Sequence, residues 1–170
     1  MANGLPFLTP PDGAPYQLGV ETPAGRLTIH AGENALTGLT WRGRRPDRPS
    51  LLLERAAAQL RAYFAGTLKQ FDLPLAPRGT AYELAVWAEL CRIPYGETIT
   101  YGELARRTGT VARAVGTTCG DNPIAIVIPC HRVTAAGGQL GGYSGGNGPD
   151  SKRRLLAHEA KYGGVFVLSP

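Results

Sequence analysis

Residues 100–132 of this chain read TYGELARRTGTVARAVGTTCGDNPIAIVIPCHR, and the first part of this stretch carries strong helix signals. Thr100 and Glu103 have the spacing of a capping box, in which two side chains accept hydrogen bonds from the backbone of the first turn. The pattern predicts a short helix over residues 101–107. Gly109 is placed to end that helix, since glycine adopts the left-handed conformation without strain.

A second helix follows at once. Thr110 has the position of its N-cap, and the pattern predicts a helix over residues 111–119. Two short helices joined by a tight glycine-containing turn, with arginine on the second, are typical of a helix-turn-helix. Many helix pairs of this form bind nothing, so the pattern by itself does not establish DNA binding.

An apolar run, Ile-Ala-Ile-Val-Ile at 124–128, comes next and leads directly into Pro129. Its length and β-branched content predict a fully buried strand. Neighbouring side chains on a strand point to opposite faces. A contact between the cysteine and the histidine that follow Pro129 would therefore need a bend after the proline or a bridging water.

Cys130, His131 and Arg132 form the most reactive-looking segment of the chain. A cysteine acts as a nucleophile in its thiolate form, and nearby positive charge favours that form. The alternative is a buried thiol beside two surface residues, because buried cysteines are usually inert. The segment alone leaves both interpretations open.

The first half of the chain opens with three extended segments separated by turn residues. Their composition predicts strands over 16–22, 26–30 and 36–41, arranged as an antiparallel meander. Ser50 then has the place of an N-cap for a helix whose apolar residues recur at helical spacing. These are Leu53, Ala56, Ala57, Leu60 and Phe64.

Another helix should begin after Thr80, which forms a capping-box pattern with Glu83. Leu84, Trp87 and Cys91 then fall on one helical stripe. Free cysteines are among the most buried residues of proteins, so we expect Cys91 to lie in the core.

The composition is typical of a globular protein in a reducing compartment. The chain has 170 residues, of which 43% are hydrophobic and 18% charged, which suffices for a packed core. Its cysteines number only three, an odd count, and show no C-x-x-C spacing. This argues against a disulfide scaffold and favours the reducing cytoplasm as the location. No apolar run approaches the ~20 residues that span a bilayer. The amino terminus also lacks the pattern of a secretory signal.

The net charge of +5 permits binding to nucleic acid. The basic residues are spread evenly, with nine before residue 80 and nine after it, against six and seven acidic residues. No Lys/Arg-rich tail is present. We therefore expect any electrostatic contribution to DNA binding to be modest.

Five short motifs resemble those of the O6-alkylguanine-DNA alkyltransferases. The resemblance is ordered over roughly residues 80–160, and its most specific part is the Pro-Cys-His-Arg signature after an Asn-Pro pair and an apolar run. The motifs are RAVG at 113–116, NP at 122–123, IPCHRV at 128–133, YSGG at 143–146 and LLAHE at 155–159.

The resemblance implies direct reversal of DNA damage. Proteins of this family flip an alkylated guanine out of the duplex and move its alkyl group irreversibly onto a cysteine, whose counterpart here is Cys130. His131 matches the histidine that activates the cysteine through a bridging water, Glu159 matches the glutamate behind it, and Asn122 matches a structural asparagine. The implied poorer substrate is O4-alkylthymine. No cofactor is implied, because the protein itself is the acceptor.

The implied partner is double-stranded DNA, bound through its minor groove. Arg113 matches the arginine finger that fills the space of the extruded base, and Tyr101 matches a tyrosine that contacts the base and helps rotate its phosphate. Ala114, Val115 and Gly116 match the small residues of a recognition helix that lies close to DNA.

The resemblance also implies a base pocket. Val133 and Ser144 match positions that bond the guanine edge through backbone groups, and Tyr143, with Tyr101, matches the pocket wall. Seven of the thirteen residues at 137–149 are glycine, which lets backbone approach a flat base closely.

The implied fold has two domains. Residues 1–79 should form an α/β domain, a ribonuclease H-like antiparallel sheet with a helix, and residues 80–170 a mainly helical, winged-helix-like domain that carries the helix-turn-helix. We expect a monomer without a membrane segment. Some relatives hold zinc in the first domain, but this chain has no cysteine before Cys91 and so no expected metal site.

Three other functions fit the sequence less well than direct reversal. A non-catalytic lesion binder of the alkyltransferase-like kind carries another residue in place of Cys130. A regulator whose methylated cysteine signals damage carries an extra cysteine-rich domain. A cysteine hydrolase does not account for the arginine-bearing helix pair.

Overall fold

A three-stranded antiparallel sheet forms the first part of the molecule. The computed structural model describes residues 5–41, 43 and 46–163. The strands β1 (Tyr16–Thr22), β2 (Gly25–Ala31) and β3 (Leu36–Thr40) lie in the order β1-β2-β3. This confirms the predicted meander, with β1 at the predicted bounds and the other strands within one residue of theirs.

Helix α1 (Leu51–Phe64) packs against β1 and β2 and covers one face of this sheet. Ser50 caps it as predicted, since its side chain accepts a hydrogen bond from the Leu53 backbone at 3.3 Å. The predicted apolar stripe is buried except at Phe64, which is only half-buried. Tyr63 is fully buried instead.

The second part of the chain is mainly helical, as predicted. Helix α2 is Ala81–Leu90, α3 is Tyr101–Thr108, α4 is Ala112–Gly120 and α5 is Pro149–Gly163. Two short parallel strands, β4 (Ile99–Thr100) and β5 (Val133–Thr134), pair beside α3. No helix within residues 5–41, 43 and 46–163 is long and apolar enough to cross a membrane.

Helices α3 and α4 form the predicted helix-turn-helix and pack against α2. Gly109 ends α3 in the left-handed conformation, with φ of 68°. Trp87 of α2 donates its indole N–H to the Thr118 carbonyl of α4 at 2.9 Å. Helix α4 is therefore held in place by a hydrogen bond from a buried side chain.

The helix caps follow the sequence pattern in part. The Thr80–Glu83 capping box is complete. Thr100 accepts a hydrogen bond from the Glu103 backbone, but the Glu103 carboxylate pairs with arginines of the same helix rather than closing the box. The predicted cap Thr110 is wrong, because the N-cap of α4 is Val111, whose side chain offers no hydrogen-bonding group.

The expectation of a strand at 124–128 is also wrong. These residues are buried, but they form a turn in which the Ile128 N–H donates to the Ile124 carbonyl at 2.9 Å. Ile126 adopts φ of 73°, a left-handed conformation that a strand does not contain. Burial on all sides gives this turn the same apolar composition as a buried strand.

Cys91 departs from prediction as well. It follows the last residue of α2 as the C-cap and is exposed, so it does not belong to the core. The stripe that contains Trp87 continues into the core through Leu90 and Ile93 instead.

A hydrophobic core joins the two parts of the molecule. Leu39 of β3 donates its N–H to the Pro123 carbonyl at 2.8 Å, and Leu39 forms a parallel bridge with Ile124. The sheet of the first part is thereby attached to the turn that precedes Cys130. The division at residues 79 and 80 stays a prediction.

Candidate active site

Cys130 lies where the buried turn meets a large cavity. Residues Cys130–Arg132 form a single turn of 3₁₀ helix, which supplies a bend after Pro129. The Cys130 side chain is 5% exposed and borders a cavity of about 890 Å³. The same cavity is bordered by α3 and α4, so the thiol is reached from the side of the helix-turn-helix.

Asn122 fixes the turn that leads to the cysteine. Its side-chain amide donates to the Ile128 carbonyl at 2.7 Å, and its side-chain oxygen accepts from the Ile124 N–H at 3.0 Å. One side chain thus joins both ends of the run at 124–128. These bonds also satisfy backbone groups that burial would leave without partners.

His131 is absent from the cavity wall and contacts Glu159 of α5. Its Nε2 lies 2.7 Å from Glu159 Oε1, and both side chains are buried, at 0% and 1% exposure. Burial lowers the pKa of His131, although the carboxylate acts against this. The neutral ring therefore donates from Nε2. Its Nδ1, which has no hydrogen-bond partner among the described residues, carries the lone pair.

Glu159 accepts from several donors besides His131. Arg132 binds it in a fork, with Nε at 2.9 Å from Oε2 and Nη2 at 3.0 Å from Oε1. The Gly96 N–H donates to Oε2 at 3.1 Å, and the Tyr63 hydroxyl donates to Oε1 at 2.8 Å. Burial alone would raise the pKa of Glu159. The hydrogen bonds from His131 and Arg132, together with the charge of Arg132, outweigh it and hold that pKa well below its ordinary value.

The thiol itself is the protonated form in this environment. Burial raises the pKa of Cys130, while the Asn122 side chain, the Lys152 ammonium and neighbouring backbone N–H groups act in the opposite direction. Any reaction at the sulfur therefore has to move a proton away from it. His131, the next residue, holds the nearest basic nitrogen in sequence.

The cavity that Cys130 borders is also lined by five residues that the sequence analysis assigns to a base pocket or to a DNA-facing helix: Tyr101, Arg113, Gly116, Tyr143 and Ser144. The structure brings these residues of α3, α4 and the glycine-rich segment together around one opening. Arg113 is exposed and makes no salt bridge or side-chain hydrogen bond within residues 5–41, 43 and 46–163. Its guanidinium is therefore available to a partner.

Two predicted residues lie elsewhere. Val115 is fully buried and faces the core beneath α4, so its side chain cannot contact DNA. Val133 is also fully buried, pairs with Ile99 and does not border the cavity. Ala114 is half-buried and does not border the cavity either.

Three residues near the site escaped the sequence interpretation. Lys152 of α5 is fully buried and donates to the Tyr101 hydroxyl at 3.2 Å and to the Gly142 carbonyl at 3.3 Å. Arg132 stood within the reactive segment but was given no partner. Tyr63 lies 96 residues from Glu159 along the chain, and no local pattern connects the two.

The first part of the molecule also reaches the site through Trp41. Its ring meets that of Tyr143 edge to face, with centroids 6.3 Å apart. Both border a smaller cavity of about 230 Å³ that also reaches Cys130. Gly145 lies so close that a Cβ there would be 2.6 Å from the Trp41 ring, which explains a glycine at this position.

No group of three or more His, Cys, Asp or Glu side chains in the described ranges is arranged to hold a metal ion. A helix-turn-helix beside a cavity that ends on a buried thiol, with a His–Glu pair behind it, is the arrangement of a DNA-binding protein that works through a cysteine.

Comparison with known proteins agrees with this class. Residues 81–161 match the DNA binding domain of 6-O-methylguanine DNA methyltransferase, and residues 16–77 match its ribonuclease-like domain. The chain belongs to the family of methylated-DNA–protein-cysteine methyltransferases, which repair DNA by direct reversal through alkyl transfer to a cysteine. The resemblance read from the motifs and the predicted fold class are thereby confirmed.

The similarity to individual relatives extends over most of both chains. The methylated-DNA–protein-cysteine methyltransferase of Mycolicibacterium paratuberculosis is 45% identical over 152 residues, which are 84% of this chain and 91% of the relative. That of Methanosarcina acetivorans is 44% identical over 149 residues, 82% of this chain and 94% of the relative.

Solved structures give the same result. The protein in the crystal structure of Mycobacterium tuberculosis O6-methylguanine methyltransferase is 42% identical in sequence to this chain, and the two structures match with a TM-score of 0.76. The match covers 86% of this chain and 93% of the mycobacterial chain. A crystal structure of Mycobacterium tuberculosis OGT in complex with DNA is 44% identical with a TM-score of 0.73, covering 85% of this chain and 92% of its own.

Proposed function

We propose that Cys130 accepts the alkyl group of O6-alkylguanine, and less efficiently of O4-alkylthymine, in double-stranded DNA. One observation carries the assignment: Cys130 borders the cavity that opens beside the helix-turn-helix, and the residue that follows it, His131, forms a buried pair with Glu159. Cys119 borders the same cavity but is not followed by a basic side chain.

The reaction is a displacement at the alkyl carbon. A carbon–sulfur bond forms to Cys130 while the bond between that carbon and guanine O6 breaks. The thiol proton passes to Nδ1 of His131 through a bridging water, and the imidazolium then returns that proton through water to the departing base, which leaves as neutral guanine. Glu159 stabilises the imidazolium that forms in between. The thioether is not reversed, so each molecule acts once.

Asn122 acts through the backbone in this scheme. By joining Ile124 and Ile128 it fixes the direction in which Cys130 leaves the turn. Base binding is supported by the cavity wall, which contains Tyr101, Tyr143 and Ser144. These three residues would hold the flipped base.

DNA binds on the face of α4, through the minor groove, with Arg113 taking the place of the extruded base. The exposed guanidinium at the cavity wall supports this role. Flipping costs a few kcal/mol of stacking and pairing, part of which a planar cation recovers. Ala114 and Gly116 lie on the same helix and allow close approach. We propose that the protein acts as a monomer in the cytoplasm.

The test is mass spectrometry of the protein after incubation with a duplex that contains O6-methylguanine. We expect one added methyl group, on the peptide that holds Cys130, and none on the others. Cys130→Ser should abolish transfer and leave DNA binding nearly unchanged, because a hydroxyl is a far weaker nucleophile.

Cys119→Ser is the matched control, since Cys119 is buried and borders the same cavity. This variant should still be methylated at Cys130. Methyl transfer to Cys119, or transfer that persists in Cys130→Ser, would show that the acceptor is assigned wrongly.

A further inference from the structure

The carboxylate oxygen that meets His131 also accepts a hydrogen bond from the ribonuclease-like domain. Glu159 Oε1 lies 2.7 Å from His131 Nε2 and 2.8 Å from the hydroxyl of Tyr63. Tyr63 belongs to α1, whereas His131 and Glu159 belong to the DNA-binding part. Two side chains from different parts of the molecule therefore share one acceptor atom.

Tyr63 is held rigidly in this position. It is fully buried, and its ring stacks on Phe71 at 5.4 Å and meets Tyr95 edge to face at 5.8 Å. Burial raises the pKa of Tyr63 far above its ordinary value, and the Glu159 charge adds to that effect. The hydroxyl is therefore a permanent donor to Glu159.

We propose that Tyr63 is a positioning residue of the alkyl transfer: it acts through Glu159 to set how strongly that carboxylate accepts from His131. The inference rests on the proposed function of His131 as proton acceptor. It assigns the ribonuclease-like domain a part in the chemistry as well as in the fold.

The direction of the effect follows from competition between donors. Each hydrogen bond to a carboxylate oxygen withdraws negative charge from it and weakens its bonds to the remaining donors. Arg132 already holds Glu159 in a fork, so loss of the Tyr63 hydroxyl should leave the carboxylate in place. Its bond to His131 then becomes stronger, and the imidazolium is stabilised.

Several other ionisable groups lie around Tyr63, His131 and Glu159. They influence how readily His131 takes up a proton, so all of them have to be unchanged in the variants that are compared. They are Cys130 and Arg132 in the 3₁₀ turn, Lys152, His158 and Glu159 on α5, Tyr95 before β4 and Cys91 at the end of α2.

The experiment compares Tyr63→Phe with Tyr95→Phe. The second is a matched control, because Tyr95 packs beside Tyr63 but its buried hydroxyl has no hydrogen-bond partner among the described residues. Two readouts are the proton resonance of His131 Nε2–H and the pH dependence of alkyl transfer from free O6-benzylguanine. A merely structural role would move neither.

In Tyr63→Phe we expect the Nε2–H resonance to move downfield. The acidic limb of transfer should move to higher pH by about 0.5 unit, roughly threefold in the proton affinity of His131. Tyr95→Phe should match the wild type in both. Replacement of Tyr63 by 3,5-difluorotyrosine, a stronger donor of nearly the same shape, should move both readouts in the opposite direction.

Resonances and pH profiles that coincide for wild type, Tyr63→Phe and the fluorinated protein would overturn the inference. So would equal shifts in Tyr63→Phe and Tyr95→Phe. Failure of the proposed function is a separate result, since wild-type protein would then transfer no alkyl group, while the resonance would still report on Tyr63.

Discussion

Acidity alone does not distinguish Cys130, the proposed acceptor, from Cys119. Burial raises the pKa of Cys119 to about 12 and that of Cys130 in the same direction. What separates the two is the surroundings of Cys130, namely the Asn122 side chain and the adjacent His131. The reactivity of Cys130 therefore depends on proton removal during transfer rather than on a thiolate present beforehand.

Arg113→Ala should slow repair in duplex DNA far more than dealkylation of free O6-benzylguanine. A finger stabilises the duplex after the base has left, and a free base leaves no stack. We expect a loss of about ten- to a hundredfold on duplex, from an interaction of ~1–3 kcal/mol. Rates on both substrates, at saturating DNA, measure the difference.

Other results would assign Arg113 another role. Equal losses on duplex and free base would place it in support of the fold or the pocket. A duplex loss that vanishes at saturating DNA would show that the guanidinium binds only phosphate.

At the scale of elements, the sequence predicts those helix caps and strand bounds that depend on residues close by in the chain. The β1 bounds, the Ser50 cap and the Thr80–Glu83 box all depend on neighbours within a few residues, and all are present. The turn at 124–128 has a local determinant in Asn122, but it also depends on burial by both parts of the molecule, which no local pattern contains.

The same reasoning explains the site. The motifs predict Cys130, His131 and Glu159 as site residues, because the family's motifs contain them. Tyr63 and Lys152 reach the site only through the packing of α1 and α5, so no sequence pattern contains their contacts. Val115 was misplaced because helical phase, rather than residue size, decides which face of α4 it occupies.

Val111→Ser should stabilise the protein. Val111 is the N-cap of α4 with extended backbone, φ of −113° and ψ of 152°, and is 65% exposed. Serine there would accept a hydrogen bond from the first turn at little cost in buried surface, a gain of about 1 kcal/mol. We expect Tm to rise by roughly 2–4 °C.

Thr110→Ala is the control for this variant. Thr110 was the cap predicted from sequence, but the helix begins one residue later. Its replacement should change stability by no more than about 0.5 kcal/mol. A larger loss in Thr110→Ala than the gain in Val111→Ser would mean that Thr110 caps the helix after all.

For the whole molecule, charge predicts how DNA is bound. The net charge of +5 is divided between the two halves, so few phosphates are neutralised together. Binding to undamaged duplexes should be modest, similar across sequences and weakened by salt with a shallow slope. Titrations at several salt concentrations measure that slope. A steep slope, or strong preference for one undamaged sequence, would contradict this expectation.

Acid should destabilise the molecule through the carboxylate that joins its two parts. Glu159 is 1% exposed and its pKa is held well below the ordinary value of about 4.3. A depressed pKa means that the unfolded chain binds a proton more readily, so the stability from Glu159 is complete above about pH 4.3 and is lost as pH falls below it. Glu159→Gln should cost about 3–5 kcal/mol at pH 7, since it leaves Arg132 buried without its partner. The gap in urea midpoint between wild type and variant should then narrow as pH falls from 5 to 3.

Glu103→Gln serves as the comparison variant, because hydrogen bonds from Arg106 and Arg107 lower the pKa of Glu103 to about 2. The Glu103 carboxylate nevertheless lies on the exposed side of α3 and joins no second element. A gap that stays constant from pH 7 to pH 3 would show that Glu159 contributes through shape rather than through its charge.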